Sequence, residues 1–393
     1  MEAKNRIPSC LGKRVIHDRS NERELERRLM INKPYLRGIL KTVGAGCLSL
    51  MLATSALAPQ VIKNSKTPLA KNAGRVLELK EVLRISEKSE QFYFGGNPGG
   101  FTGEAVNTDG DIYIQSGKNQ ILRFTPGGEF IKNLIRGGQG PGEVSEYFKF
   151  LVDGRDIFIV DFGQNRVIRL TTDGELVHQW TVPRAYDDLI GILGEGLLFS
   201  RTNYPPIEDR KGKLMDTPHE ILRVSKDGSE EKLVHTFSVL RFLAQGAAAF
   251  WAPFHAALSD DSRFLFVNHT AEYEISVLDL STGKIIKTFT REYPRVKHVP
   301  FPGEDNFSRK YNFKRPYEAD ITGLYIFKNR LWVKTSMTDK ERGTLYDVFS
   351  LDGAYLDAFV LKVNMTSIQR GRLMIWEADA EGNASLVIYT VRD

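Results

Sequence analysis

Between residues 111 and 391 the chain repeats one unit, five times in full and a sixth time in part: an apolar strand, a gap, a second strand, a glycine turn and a third strand. DIYIQS (111–116) leads to ILRFTPGGEFIKNL (121–134), and DIFIVD (156–161) leads to VIRLTTDGELVHQW (167–180). GLLFSR (196–201) leads, after an insertion, to ILRVSKDGSEEKLVHTF (221–237), and FLFVNH (264–269) leads to ISVLDLSTGKIIKTF (275–289). RLWVKT (330–335) precedes YDVFSLDGAYLDAF (346–359), and RLMIWEA (372–378) precedes SLVIYTV (385–391). The turn glycines Gly128, Gly174, Gly228, Gly283 and Gly353 lie 46, 54, 55 and 70 residues apart. Such periods mean stacked or radial repeats. β-Branched and aromatic residues fill the strands, and D-G, G-G and T-G supply the positive φ of tight hairpins.

The expected fold is therefore all-β: a six-bladed β-propeller of four-stranded antiparallel blades. AVNTDG, FKFLVDG, HAALSDD and TGLYIF stand where innermost strands are needed. No outer strand follows the sixth unit, while RVLELKEVLRI (75–85) has no unit of its own. The N-terminal strand 75–85 is expected to complete the last blade and close the ring, which removes exposed sheet edges. The propeller then spans 75–393, with a linker over 59–74. No stretch after the leader shows a sustained helical period.

Of 54 basic and 49 acidic residues, 11 and 5 fall in residues 1–58, which leaves 43 against 44 in the body. A neutral body carries no electrostatic footprint for nucleic acid. The leader holds TVGAGCLSLMLATSALAPQVI (42–62), uncharged and preceded by Lys33, Arg37 and Lys41. A basic flank, an apolar run and small residues at Ala56-Leu57-Ala58 describe a secretory signal, with Ala56 the better cleavage point because Pro59 follows Ala58. The same run, close to bilayer-spanning length, also describes an uncleaved signal anchor, the one route to a membrane. Residues 30–58 are assigned to signal peptide or anchor, and 1–29 to a tail or an over-called start before Met30. The protein is expected to be exported: periplasmic, outer-surface, secreted or held at the inner membrane. Cys10 and Cys47, the only cysteines, both lie in the leader, so the body has neither disulfides nor thiolate chemistry.

RGGQGPGE (136–143) invites a phosphate-loop reading, but a phosphate loop needs a helix directly after its glycines. VSEYFKFLVDG follows instead, so the stretch reads as the connector between blades one and two, with Glu143 satisfying loop amides or facing the channel mouth. The string GGQGPGE, followed by DIFIVDFGQNRVIRLTTDGEL, resembles the NHL-repeat group of six-bladed β-propellers, in particular exported bacterial six-bladed propeller proteins. Gly138, Gly140, Gly142, Glu143, Asp161, Asn165, Arg166, Val167 and Asp173-Gly174 carry the resemblance. Blade one echoes it as FGGNPGGFTGE, with Asn119 at the Asn165 position and Gln120 replacing the arginine. The resemblance implies a fold more than an activity.

In antiparallel blades, the connectors between blades and the loops between second and third strands emerge on one face. Both long insertions, 201–220 and 291–320, belong to that set, so elaborated loops gather at one channel mouth. Arg309, Tyr311, Arg315 and Tyr317 of the second insertion, with Trp251 and His255 of FWAPFH and Glu143, are the candidate ligand-binding residues. Aromatic and basic side chains suit a protein, peptide or glycan ligand through stacking and charge-assisted hydrogen bonds. The competing expectation is a loop that buries its own aromatics. The resemblance also admits metal-dependent lactonases and lyases. Of His178, His219, His235, His255, His269 and His298, only His255 sits on an expected inner strand, so a three-histidine zinc site is not expected. Glu104, Glu143 and Glu318 are the carboxylates a calcium site would draw on. No catalytic residue and no bound cofactor is assigned.

Overall fold

The computed structural model describes residues 58–87, 91–94, 103–117, 119–245, 247–249, 253–300 and 304–392. All of the leader assignment (residues 1–58) but Ala58, and Trp251, lie outside them. Six sheets of four or five strands follow one another along the chain, each running from an inner to an outer strand. Blade two shows why the sequence folds this way. Its second strand, Asp156–Asp161, pairs with the third, Arg166–Thr171, with Ile159 opposite Ile168. Ile157 and Ile159 join blade one's Tyr113 and Ile121, while Phe158 and Val160 pack with Phe199 and Leu222 of blade three. Each sheet is thus covered on both faces by its neighbours, which is why its middle strands are continuously apolar rather than alternating.

The ring closes on the N-terminal strand. Leu79–Ser86 runs antiparallel to Ala384–Val391, from Leu79 opposite Val391 to Ser86 opposite Ser385. Ile85 of that strand packs with Leu386 and Ile388 of its own blade and with Ile112 and Phe124 of blade one. Two details differ from expectation. Arg75–Val76 joins blade five, parallel to Phe359 and Val360, rather than blade six. Within the stretch expected as a linker, Gln60–Asn64 adds a parallel fifth strand to the outer edge of blade four. The Asn64 amide group donates to Thr290 O and Gly353 O and accepts the Tyr355 N–H, tying blade four to blade five. Leu69, Ala70, Gly74 and Leu77 then donate their N–H groups to the carbonyls of Tyr355, Leu356, Ala358 and Val360. The segment therefore covers two sheet edges before it closes the ring.

The hairpin glycines serve a second purpose. At Gly174 (φ +81°) and Gly283 (φ +68°) a Cβ would lie 2.7 Å from Leu134 O and 2.5 Å from Val234 O, both in the preceding blade. The turn is also an inter-blade joint, so glycine is required there twice over.

The insertions differ most from a loop reading. Most of 201–220 is strand: blade three's third and outer strands, Lys211–Ser225 and Glu231–Ala244, pair from Val224 opposite Glu231 to Lys211 opposite Ala244. The second strand stops at Thr202, opposite His219, so the ribbon's far half projects beyond the blade. The second insertion contains a helix, Glu304–Tyr311, too short to register as a period in the sequence. Tyr311 and Phe313 pack on Phe242 of the ribbon with ring centroids 5.6 and 4.5 Å apart, and a Cβ on Gly212 would lie 2.8 Å from the Tyr311 ring. The two insertions clasp each other on one face.

Candidate functional site

Glu143 belongs to the connector itself. The Gly140 N–H donates to its Oε2 at 2.8 Å, which folds the carboxylate back onto the loop. Arg166 holds the same loop from below, donating to Gly140 O at 3.1 Å and to Glu143 O at 2.6 Å, while Gln164 Nε2 donates to Gly138 O. Buried Asp161 accepts the N–H groups of Ser145 and Gln164 and faces Arg166 Nε at 3.4 Å. Asn165 and its blade-one counterpart Asn119 have φ of +50° and +57°, a conformation asparagine tolerates. The residues of the motif thus form one backbone staple between two blades.

The second insertion pairs several of its own charges. His298 lies between Glu304 (2.8 Å from Nε2) and Glu318 (2.6 Å from Nδ1), with Arg315 Nη2 2.8 Å from Nδ1. Arg295 pairs with Asp320 at 3.1 Å and lies over the Tyr317 ring at 4.9 Å. Tyr311 is turned into the clasp, and Arg309 is exposed at the end of the helix. Arg315 thereby joins the His298 cluster and Tyr317 lies against Arg295, whereas Glu143, Tyr311 and His255 each sit with different partners. Glu104, bonded by the hydroxyls of Thr366 and Ser367, stands apart from both Glu143 and Glu318. Among the described residues no three His, Cys, Asp or Glu side chains are placed to hold a metal ion.

Two further groups lie on the same face, of whose residues the sequence reading named only His219 and His255, and only His255 as a candidate for binding. Between blades two and three opens a cleft of about 360 Å³, lined by Tyr147, Phe148, Lys149, Phe162, Tyr186 and Asp187. Tyr147 is 54% exposed there. Asp187 accepts from the Thr202 hydroxyl, whose oxygen is 2.8 Å from His219 Nδ1, and Arg241 Nη2 is 3.4 Å from both Thr202 Oγ1 and His219 Nδ1. Burial raises the Asp187 carboxyl above the usual aspartate range, against the pull of Thr202 and Arg241. Phe254 covers the His219 ring at 3.9 Å, and Nε2 is buried without a partner. The second group is at the inner end of blades four to six. His255 opens the inner strand of blade four, and its Nε2 is also buried and unpartnered. Lys334, on blade five's second strand, donates to Asn364 Oδ1 at 2.7 Å. A lysine inside the apolar run RLWVKT was the available signal. A larger cavity, about 870 Å³, lies between blades five and six, beneath the crossing of the N-terminal segment at Arg75 and Glu78.

Burial, with Arg241 and His269 adding to it, lowers His219 from 6.5 to about 3. The folded state holds it neutral, while the unfolded chain takes up a proton below about pH 6.5. Its contribution is complete above that pH and is lost as pH falls towards 3, by about 2 kcal/mol at pH 5. In urea titrations the wild type should therefore lose about 2 kcal/mol more than His219→Gln between pH 7.5 and pH 5. Equal losses would contradict a neutral, buried His219.

The family described as 6-bladed beta-propeller (DUF5128) matches residues 104–252. No curated protein is similar in sequence. Among solved structures, a Bacteroides fragilis protein described as exported aligns at a TM-score of 0.51 and 13% identity, over 85% of this chain and 100% of its own. A member of the duf4221 family from Bacteroides vulgatus aligns at 0.52 and 14%, over 81% and 99% of the two chains. A gluconolactonase from Xanthomonas campestris aligns at 0.43 and 14%, over 82% and 99%. No helix among the described residues is long and apolar enough to cross a membrane. Sheet order, ring closure and the family match agree: the chain is a six-bladed β-propeller.

Proposed function

We propose that the protein is an exported binding module that takes a peptide, glycan or other ligand at the channel mouth on the face where its two insertions clasp. The observation that carries this reading is the asymmetry of the faces. The opposite face has short hairpins, whereas this one has the projecting ribbon, the helix and the cleft at Tyr147. Ligand sites are concave, largely apolar and furnished with a few convergent polar groups. The cleft combines Phe148, Phe162 and Tyr186 with Lys149 and Asp187 in that proportion. Export is supported by the signal-like leader.

The test is a binding screen of the full chain against peptide and glycan arrays, repeated with Tyr147→Ala/Phe162→Ala and with Asp227→Ala on the opposite face. Binding should weaken about tenfold or more in the first variant and be unchanged in the second. The reading fails if every ligand binds the first variant as well as it binds the wild type.

A further inference from the structure

The cavity of about 870 Å³ between blades five and six opens on the hairpin face, away from the insertions. The N-terminal segment makes its outer wall. That segment leaves the edge of blade five at Val76, opposite Val360, and enters blade six at Leu79, opposite Val391, so Leu77 and Glu78 bridge the two blades. The floor is aromatic. Trp332 packs between Phe327 and Phe359, with ring centroids 4.5 and 4.6 Å away. Strand alternation puts Arg330 on the same side of blade five as Trp332, the side that meets Leu77 and Val391. Arg330 opens the second strand directly after the turn from Phe327 and stands opposite Ser350, beside the D-G turn, which places it at the entrance. The rim is cationic: Arg75, Lys328, Arg330 and Arg392 line the cavity, against the carboxylates of Glu78 and Asp357. Asp357 is engaged by Arg75 through two bonds of 3.0 Å, and Glu78 lies 3.6 Å from Arg392. Among the described residues nothing pairs with the exposed Arg330 guanidinium. An exposed arginine is ordinarily just solvated; this one stands over a cavity floored by three aromatic rings.

We propose that this cavity is a second ligand site, for an organic anion whose flat apolar body lies against Trp332 and whose acid group is held by Arg330. A concavity of this volume encloses a small molecule, and aromatic walls with a few polar groups are what such sites are made of. The guanidinium fork takes a carboxylate or a phosphate through two parallel hydrogen bonds, while the ring beneath stacks on the ligand body. The excess of cations over carboxylates on the rim selects an anion over a neutral or cationic molecule of the same shape. The site does not depend on the mouth reading, since no residue that lines it belongs to the insertions or to the cleft at Tyr147.

Carboxylates and phosphates share this chemistry, and the experiment separates them. Naphthylacetate and naphthyl phosphate are titrated calorimetrically into the full chain, each beside its neutral counterpart, naphthylacetamide and naphthol. The wild type should bind at least one acid about tenfold more tightly than its counterpart, and Arg330→Met should erase that preference while binding the neutral molecule unchanged. The acid preferred identifies the class. Tyr147→Ala/Phe162→Ala, which alters the other face, should keep the preference in full. The preferred acid should also protect Arg330 from phenylglyoxal, read by mass spectrometry, a measurement that needs no variant to fold. Binding of neither acid at about 1 mM, equal affinity for acid and counterpart, an acid preference that survives Arg330→Met, or a bound acid that leaves Arg330 unprotected overturns the proposal. None of these outcomes touches the mouth, whose own test is the Tyr147 and Phe162 variant against the peptide and glycan arrays.

Discussion

A chain that starts at residue 91 lacks Leu79–Ser86 and is expected to lose cooperative unfolding and to bind hydrophobic dyes. The missing strand leaves Ala384–Val391 as a bare edge and uncovers Leu386, Ile388, Ile112 and Phe124, which pack with Ile85 across the seam. Burial of the Ile85 side chain alone is worth about 1.5–3 kcal/mol, and half-buried Leu83 adds to it. Opening the seam also unpacks blade one from blade six, and a whole domain is stable by only about 5–15 kcal/mol. The control is a permuted chain that starts at the same residue and carries 79–86 after residue 392. Val391 lies opposite Leu79 and the Arg392 N–H donates to Glu78 O, so the two ends already meet as a hairpin would, and an Asn-Gly loop can join them. The permuted chain should regain a single sharp transition in calorimetry. Its remaining deficit against the wild type then measures the fifth strands on blades four and five, which both shortened chains lack. A truncated chain that melts like the wild type would show that closure contributes nothing.

The blades were legible because each middle strand is packed on both sides, so its composition is extreme and its hairpins need glycine at fixed points. Closure was legible because five units had an outer strand, the sixth lacked one and a spare strand stood upstream. The fifth strands were not. QVIKN binds its blade through backbone groups and the Asn64 amide, and neither interaction leaves a hydrophobic pattern. KGKLMDTPHE read as a loop because it alternates polar residues around Pro218; only its pairing with SVLRFLA makes it a ribbon. At the mouth, the gathering of insertions followed from topology, and His255 stood out as the one inner-strand histidine. The orientation of Arg309, Tyr311, Arg315 and Tyr317 did not follow, since their neutralising partners and the Phe242 contact are tertiary.

Replacing Arg291 with methionine is expected to cost about 3–5 kcal/mol at pH 7.5, because it strands a buried carboxylate. Asp347 is 0% exposed and receives Arg291 Nε and Nη2 at 2.8 Å, with the hydroxyls of Tyr273 and Tyr355 donating at 2.7 and 2.6 Å. The rings of Tyr273, Tyr293 and Tyr355 surround the guanidinium at 5.0, 4.9 and 5.1 Å. Burial pushes the Asp347 carboxyl up, and Arg291 with the two tyrosines holds it down. Without the arginine the carboxyl can take up a proton, so the Arg291→Met penalty should shrink as pH falls, a trend that urea titrations at pH 7.5 and 5 would reveal. Arg291→Met/Asp347→Leu removes both charges and should recover most of the loss, leaving mainly the cost of two unpartnered tyrosine hydroxyls. A single-variant penalty below about 1 kcal/mol, or a double variant worse than the single, would mean the pair is not a desolvated charge pair. Arg291 ends blade four's outer strand, and the second insertion leaves directly after it, with Tyr293 held by Ser336 at 3.1 Å. Loosening this knot releases the root of the insertion before the blades themselves. Hydrogen exchange in Arg291→Met should therefore rise first in 292–320 and in the ribbon that Tyr311 and Phe313 clasp, which makes the pair the anchor of the face where the insertions meet.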